Sequence, residues 1–262
     1  MQRIAYVEFG MQRIAVAASL LAIFSASALA EIKTSFVEYQ EGGVTLQGFL
    51  AYDDAKVGSR PAVMIVHDWD GLGTYEQDRA KQLAAEGYVA FAADIYGKGV
   101  RPNNPQDNAK EATKYRSDIP LFRRRLNAGF DAMVKQANVN PAKTAAIGYC
   151  FGGGGVLELA RSGANVQAVV SFHGGLGTAT PEDAKNIRGK VLVIGAAQDP
   201  AVPREVNTAF LNEMQGAKVD YQFVLYNLNV HAFTVPGGQY DATADRRSFA
   251  QMKTFFGEVF GS

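Results

Sequence analysis

The segment Gly-Tyr-Cys-Phe-Gly at residues 148–152 places the only cysteine of the chain, Cys150, between two glycines. The apolar run 144–147 before it is typical of a strand, and residues 156–160 after it are typical of a helix. We therefore predict a tight strand–turn–helix that lifts Cys150 above the edge of a sheet, as a nucleophile elbow with sulfur in place of oxygen. Amides that open the helix add positive potential, in which a thiol ionises more easily.

Two other interpretations of this segment are weaker. A lone cysteine is commonly a buried structural residue, but the flanking glycines favour the elbow. The glycine run 152–155 also suggests a phosphate-binding loop, but it lacks the Lys-Ser/Thr ending of that motif.

Around the elbow, strand and helix patterns alternate along the chain. An antiparallel pair at 35–39 and 44–52 comes first, joined by a glycine turn. The alternation then predicts an α/β fold, a mostly parallel, doubly wound sheet flanked by helices. The remaining predicted strands are 61–67, 88–94, 144–149, 166–172, 191–197 and 219–226, and the predicted helices are 75–86, 107–116, 120–136, 153–162, 203–215 and 243–256.

Two further residues follow predicted strands, and the resulting chain order of nucleophile, acid and histidine is that of α/β-hydrolases. Asp199 comes two residues after the strand 191–197, and His231 comes five residues after Tyr226. In such sheets the chemistry lies beyond the carboxyl ends of the strands. His231 would accept the thiol proton of Cys150, and Asp199 would orient the imidazole. Taken singly, Asp199 also fits a helix start before Pro203, and His231 also fits an ordinary loop histidine.

An oxyanion hole needs two amide donors. We predict the backbone N–H of Phe151, directly after the nucleophile, and that of Trp69 in the loop after the strand 61–67. The sequence His-Asp-Trp-Asp at 67–70 could instead indicate a metal site, but the same side chains suit turn hydrogen bonds. His173, after another strand, is expected to border the site or cap its strand.

The first thirty residues predict a secretory signal peptide with cleavage before Glu31, because Arg13 precedes an apolar run that ends in Ala-Leu-Ala. The repeat of residues 1–5 at 11–15 allows Met11 as the start. An uncleaved membrane anchor is the alternative. We expect an exported protein, periplasmic or secreted, with residues 31–262 as one α/β-hydrolase domain and no membrane association after cleavage.

The composition excludes some functions. The chain carries 26 basic and 26 acidic residues, so nothing indicates nucleic-acid binding. A single cysteine excludes an intrachain disulfide, and an unpaired cysteine in an oxidising compartment is easier to explain by chemistry.

Taken together, these motifs resemble the dienelactone hydrolase family. The resemblance runs through nearly the whole mature chain, in the segments 66–72, 86–90, 93–97, 148–153, 199–200, 202–203 and 231–233. It implies a single-domain α/β-hydrolase with a Cys150–Asp199–His231 triad that acts on small esters or lactones without metal or cofactor. Where the well-known lactonases have a glutamate near the thiol, this chain has Asp68. Of their two carboxylate-binding arginines, one is absent from the stretch after His231, and the other falls near Lys98 or Arg101.

The leading hypothesis is an exported hydrolase of small carboxylic esters or lactones that works through an acyl-enzyme. Thioester hydrolysis and acyl transfer to another acceptor use the same elbow and stay open. A catalytically silent member that binds a small molecule or partner is a second alternative, although binding alone does not require a triad. A thiol redox protein is a third, but the chain lacks a resolving cysteine.

Overall fold

A computed structural model describes residues 31–237 and 239–261. The predicted signal peptide, 1–30, lies outside the described residues. The described part opens with an antiparallel hairpin of β1 (Ile32–Glu41) and β2 (Val44–Asp53), in register from the Glu41–Val44 pair to the Ile32–Asp53 pair. The two glycines of its turn, Gly42 and Gly43, both adopt positive φ angles, which explains the residue type there.

The hairpin forms one edge of an eight-stranded sheet with the order β1-β2-β4-β3-β5-β6-β7-β8. Strand β2 runs antiparallel to β4, and the strands from β3 to β8 all run parallel to one another. Parallel pairing brings the carboxyl ends of these strands to one edge, where the candidate site lies. The strands after the hairpin are β3 (Arg60–Val66), β4 (Val89–Ala93), β5 (Val139–Tyr149), β6 (Ala168–Phe172), β7 (Lys190–Ala196) and β8 (Tyr221–Tyr226).

Helices cover both faces of this sheet. One face packs Met64 and Phe91 against helices that include Phe122 and Phe210, and the other packs Ile147 against helices on the opposite side. Burial on both faces explains the continuous apolar runs of the parallel strands. The helices are α1 (Thr74–Ala85), α2 (Pro105–Arg116), α3 (Ile119–Val134), α4 (Phe151–Arg161), α5 (Arg204–Gly216) and α6 (Ala242–Phe260), with a short 3₁₀ helix at Pro181–Asn186.

The predicted fold class is confirmed, but some element boundaries differ from the sequence prediction. Helix α4 begins at Phe151 rather than Gly153, because its glycine-rich first turn packs closely on the sheet. Helix α6 runs to Phe260, four residues beyond the predicted end, since that side chain is buried against the sheet. The 3₁₀ helix was not predicted. In the described part of the chain, no helix combines the length and the apolar character that a membrane span requires.

Candidate active site

Cys150 stands on the turn between β5 and α4 with φ 49° and ψ −106°, outside the regions that non-glycine residues prefer. The glycines on either side permit this turn. A Cβ on Gly148 would lie 2.0 Å from the carbonyl oxygen of Gly152, and a Cβ on Gly152 would lie 2.2 Å from that of Val66. Both positions therefore exclude larger residues, and helix α4 approaches the strands at backbone contact.

Three side chains that follow the ends of β5, β7 and β8 form one hydrogen-bonded chain. The Nε2 atom of His231 lies 3.1 Å from Sγ of Cys150, and its Nδ1 atom lies 2.8 Å from Oδ2 of Asp199. Asp199 is buried, and its other oxygen accepts the backbone N–H of Ala201 at 2.8 Å. With one oxygen held by the loop, the carboxylate has a fixed orientation toward the imidazole.

The surroundings of His231 favour its charged form. Burial disfavours the imidazolium, but hydrogen bonds to Asp199 and Cys150 outweigh it and raise the pKa of His231 to about 10. Near neutral pH, an imidazolium then faces the sulfur of Cys150. Such a partner stabilises a thiolate, which is the nucleophilic form of cysteine.

His173 is a second histidine in the site, and it contacts the backbone of Cys150. Its Nδ1 atom accepts the backbone N–H of Cys150 at 3.2 Å, so its proton lies on Nε2, which is 2.8 Å from Oγ1 of Thr234. Burial, and then the charge of His231, lower the pKa of His173 well below its ordinary value. The ring of this neutral histidine meets the ring of His231 edge to face, with centroids 5.4 Å apart.

The loop after β3 carries Trp69 beside the site. The Nδ1 atom of His67 lies 2.6 Å from the carbonyl oxygen of Asp68, and its Nε2 accepts the N–H of Ile95 at 3.2 Å. Burial lowers the pKa of His67 to about 4, so the ring is neutral and both nitrogens are engaged by backbone. The tyrosine hydroxyl of Tyr96 donates to the carbonyl of Trp69 at 3.1 Å. This loop is thus held by turn and backbone hydrogen bonds.

Two carboxyl groups lie under that loop. Asp68 lines the pocket, and its Oδ1 atom accepts the N–H of Asp70 at 3.0 Å. Burial, with the nearby Asp70 and Glu76, raises the pKa of Asp68 to about 9. Burial likewise raises the pKa of Glu76 to about 7, although its carboxylate accepts the N–H of Gly73 at 2.8 Å. Asp68 therefore presents a neutral carboxyl to the pocket at pH 7.

The pocket has two lobes that meet at Cys150. The larger lobe, about 510 Å³, is lined by Trp69, Asp68 and His231 and by the loop that follows His231. The smaller lobe, about 200 Å³, lies over the start of α4 and is lined by Phe151 and by residues of α3. The Cys150 side chain is accessible from both lobes.

Of the cations predicted from the sequence to bind substrate, the structure brings neither into this pocket. The ammonium of Lys98 contacts Glu38 on strand β1 at 2.5 Å. The guanidinium of Arg101 donates to the carbonyl of Val100 in its own loop and to that of Leu72 in the loop after β3. Arg116, which the sequence analysis did not single out, lines both lobes instead. Its only sequence signal was its place at the end of a predicted helix.

Comparisons with known proteins agree with this fold. The model of the dienelactone hydrolase family matches residues 46–260. A putative carboxymethylenebutenolidase of Aquifex aeolicus is 29% identical over 202 residues, which cover 75% of this chain and 85% of that protein.

Solved structures are similar over most of the chain. The structure of m3DLH is 36% identical with a TM-score of 0.84, and covers 87% of this chain and 98% of its own. A dienelactone hydrolase-like promiscuous phosphotriesterase from metagenomic libraries is 37% identical with a TM-score of 0.82, at the same coverage. Since the family model spans most of the described residues, the chain belongs to the dienelactone hydrolase family of carboxylic ester and lactone hydrolases.

Proposed function

We propose that this protein hydrolyses small carboxylic esters or lactones through an acyl-enzyme on Cys150, with His231 as the base and Asp199 as its orienting partner. The observation that carries the proposal is the hydrogen-bonded chain of these three side chains, with spacings of 3.1 and 2.8 Å. Those distances allow direct proton transfer between sulfur and imidazole.

In the acylation step, the Cys150 sulfur attacks the carbonyl carbon of the substrate. The proton of the thiol is by then on Nε2 of His231. The N–H groups of Phe151 and Trp69 are the proposed donors to the oxyanion, since the first opens α4 and the second lies on the pocket wall. Collapse of the tetrahedral intermediate breaks the bond to the alcohol oxygen, which takes the proton from His231. The acyl group is left as a thioester on Cys150.

In the deacylation step, His231 removes a proton from water, and the hydroxide attacks the thioester carbonyl. The carbon–sulfur bond breaks, the acid leaves, and the thiolate–imidazolium pair is restored. Asp199 holds the Nδ1 proton of His231 throughout. A thiol acceptor or another alcohol could replace water by the same steps, so thioester hydrolysis and acyl transfer are the alternative activities.

A second candidate activity is phosphotriester hydrolysis. It is favoured by the 37% identity to the promiscuous phosphotriesterase of the same family, over nearly all of that chain. The name of the Aquifex aeolicus relative suggests carboxymethylenebutenolide as a substrate to test for this chain as well. We also propose export through the signal sequence at residues 1–30, which would place either activity outside the cytoplasm.

The test uses the mature chain from Glu31, assayed on short aryl esters, simple lactones, carboxymethylenebutenolide and a phosphotriester. We expect ester or lactone turnover that Cys150→Ala abolishes, because no other side chain of the elbow can attack. Rapid quench followed by intact-protein mass spectrometry should show the mass of one acyl group on the wild type and none on Cys150→Ala. Undiminished turnover by Cys150→Ala would refute the nucleophile, and turnover of the phosphotriester alone would favour the second candidate.

A further inference from the structure

A buried cluster of polar side chains lies beside the loop that carries His231. Its central member is Thr234, which follows His231 by three residues and is 1% exposed. The Oγ1 atom of Thr234 lies 2.8 Å from the hydroxyl of Tyr75 and 2.8 Å from Nε2 of His173. Tyr75 belongs to α1, and His173 accepts the backbone N–H of Cys150. One threonine hydroxyl therefore connects a helix with the backbone of the nucleophile.

Arg79, one turn further along α1, contacts the same loop. Its guanidinium donates to the backbone carbonyl of Thr234 at 3.2 Å and to the carboxylate of Asp245 in the first turn of α6. Its Nε atom donates to the hydroxyl of Tyr75 at 3.2 Å. The side chain of Arg79 is 8% exposed, so these contacts form largely out of water. Residues of α1 thus hold both the main chain and the side chain of Thr234.

The two ends of this hydrogen-bonded chain fix its direction. Arginine has only donors, so the oxygen of Tyr75 accepts from Arg79, and burial raises the pKa of Tyr75 and keeps its hydroxyl neutral. At the other end Nδ1 of His173 accepts from Cys150, so Nε2 carries the proton and donates to Thr234. The hydroxyl of Thr234 is therefore the acceptor for the tautomer of His173 that supports the nucleophile.

Thr234 and His231 belong to one tight loop. The N–H of Val235 donates to the carbonyl of Ala232 at 3.0 Å, and Ala232 has a φ of 33°. Because few backbone dihedrals separate Thr234 from His231, holding the threonine also limits where the imidazole can lie. The distance of 3.1 Å between Nε2 of His231 and Sγ of Cys150 depends on that position.

We propose that Tyr75, Arg79 and Thr234 are positioning residues that keep the imidazole of the base and the sulfur of the nucleophile at hydrogen-bonding distance. None of these three residues lines either lobe of the pocket, so they act on turnover through position and not through contact with substrate. The role rests on the proposed function and deepens it, because a fixed thiolate–imidazolium pair is what the acylation step needs.

The first experiment follows the thiolate without any substrate. Cys150 is the only cysteine of the chain, so its alkylation by iodoacetamide, measured by intact-protein mass spectrometry from about pH 4 to 10, reports its ionisation. In the wild type the imidazolium of His231 should keep the midpoint of the rate well below the ordinary thiol pKa. We expect Thr234→Val to raise that midpoint by about one pH unit, because a lost hydrogen bond lets the imidazole move away from the sulfur.

Two other threonine variants are the controls. Thr234→Ser keeps the hydroxyl and should bring the midpoint back to within about 0.3 pH unit of the wild type. Thr254→Val removes the hydroxyl of an exposed threonine of α6 and should leave the midpoint unchanged. A Thr234→Ser midpoint equal to that of Thr234→Val would assign the effect to the lost packing of the methyl group and overturn the proposal.

Two variants of α1 test whether its side chains act through Thr234. Tyr75→Phe removes the hydroxyl and keeps the ring, and Arg79→Lys keeps a charge without the planar fork. Each should raise the midpoint by about half a pH unit. In the Thr234→Val background, Tyr75→Phe should add less than about 0.2 pH unit, because the hydroxyl that it contacts is already gone. Shifts that add in full would refute the path through Thr234.

Steady-state kinetics on one ester then separates this role from the proposed function. Thr234→Val should lower kcat about tenfold and change KM less than about threefold, and Thr234→Ser should recover kcat. Shifted alkylation midpoints would support the positioning role even if no ester were hydrolysed. Midpoints unchanged or lowered in Thr234→Val, Tyr75→Phe and Arg79→Lys would overturn it even where hydrolysis by the wild type is established. If Thr234→Val does not fold, the midpoint of Tyr75→Phe decides alone.

Discussion

Backbone strain is concentrated around the reacting sulfur. Among the described residues, four non-glycine residues have positive φ, and three of them, Cys150, His173 and Ala232, lie in the candidate site. Each such residue costs about 1–3 kcal/mol and persists only where its surroundings determine it. The hydrogen bond from the N–H of Cys150 to His173 is one such determinant, because it connects two of the strained residues directly.

His173 should therefore act as a positioning residue for the nucleophile. We expect His173→Ala to lower kcat about tenfold with little change in KM, because the N–H of Cys150 loses an acceptor while the pocket keeps its walls. His173→Asn should recover much of kcat, since its Oδ1 can replace Nδ1 and asparagine tolerates a positive φ. The measurement is steady-state kinetics on one ester, with the alkaline limb of the pH profile followed in parallel.

The comparison of the two variants separates positioning from simple stability. If His173→Asn is as slow as His173→Ala at equal melting temperature, the hydrogen bond to Cys150 does not matter for turnover. If both are as fast as the wild type, the histidine only fills space beneath the elbow.

At the scale of elements, helix α4 is stabilised by its tertiary contacts with the sheet rather than by the helix propensity of its residues. Four of its first five residues are glycines, and each costs about 1 kcal/mol relative to alanine in a helix interior. What they allow is the approach of the helix to the strands. The Cβ of an alanine at position 152 would meet the carbonyl oxygens of Val66 and His67 at 2.2 and 2.6 Å.

The element-scale prediction compares two Gly→Ala changes in helices. Gly152→Ala should lower the free energy of unfolding by about 3 kcal/mol, because backbone atoms of β3 cannot move aside as a side chain could. Gly216→Ala, at the end of α5, meets nothing within 4 Å and should be neutral or stabilise by less than about 1 kcal/mol. Urea unfolding of both variants gives the comparison. Similar values for the two would show that the elbow relaxes easily.

The sequence predicted most of the elements, since apolar runs and turn residues recur at the spacing of an α/β sheet. It also predicted the order of Cys150, Asp199 and His231 along the chain, because strand ends converge on one edge. It could not predict Arg116 in the pocket, since that depends on how the chain segment from β4 to β5, which contains α2, packs against the sheet. Nor could it exclude Lys98, whose partner Glu38 is sixty residues away and meets it only through the hairpin.

For the whole molecule, two sets of titrating groups in the site make stability depend on pH. One set lowers the free energy of unfolding as the pH falls, and the other lowers it as the pH rises. The histidines His67 and His173 have lowered pKa values, so the stability they contribute is present above about pH 6.5 and is lost as pH falls. Asp68, Glu76 and His231 have raised pKa values, so their contribution is lost as pH rises, through about 7 for Glu76, 9 for Asp68 and 10 for His231. As the pH rises above 7, Asp68 and His231 therefore both lower the free energy of unfolding.

Asp68→Asn gives the sharpest test, because asparagine keeps the oxygen that accepts the N–H of Asp70 and cannot ionise. Between pH 7 and 9 the folded wild type holds a proton on Asp68 that the unfolded chain has lost. The free energy of unfolding should fall more steeply in the wild type than in Asp68→Asn, by at most about 1.4 kcal/mol per pH unit. Urea titrations at several pH values measure the slopes, and Asp78→Asn, an exposed carboxylate of α1, is the control. Equal slopes in wild type and Asp68→Asn would mean that Asp68 is already ionised in the fold at neutral pH, and an anion would then lie in the pocket that Cys150 lines.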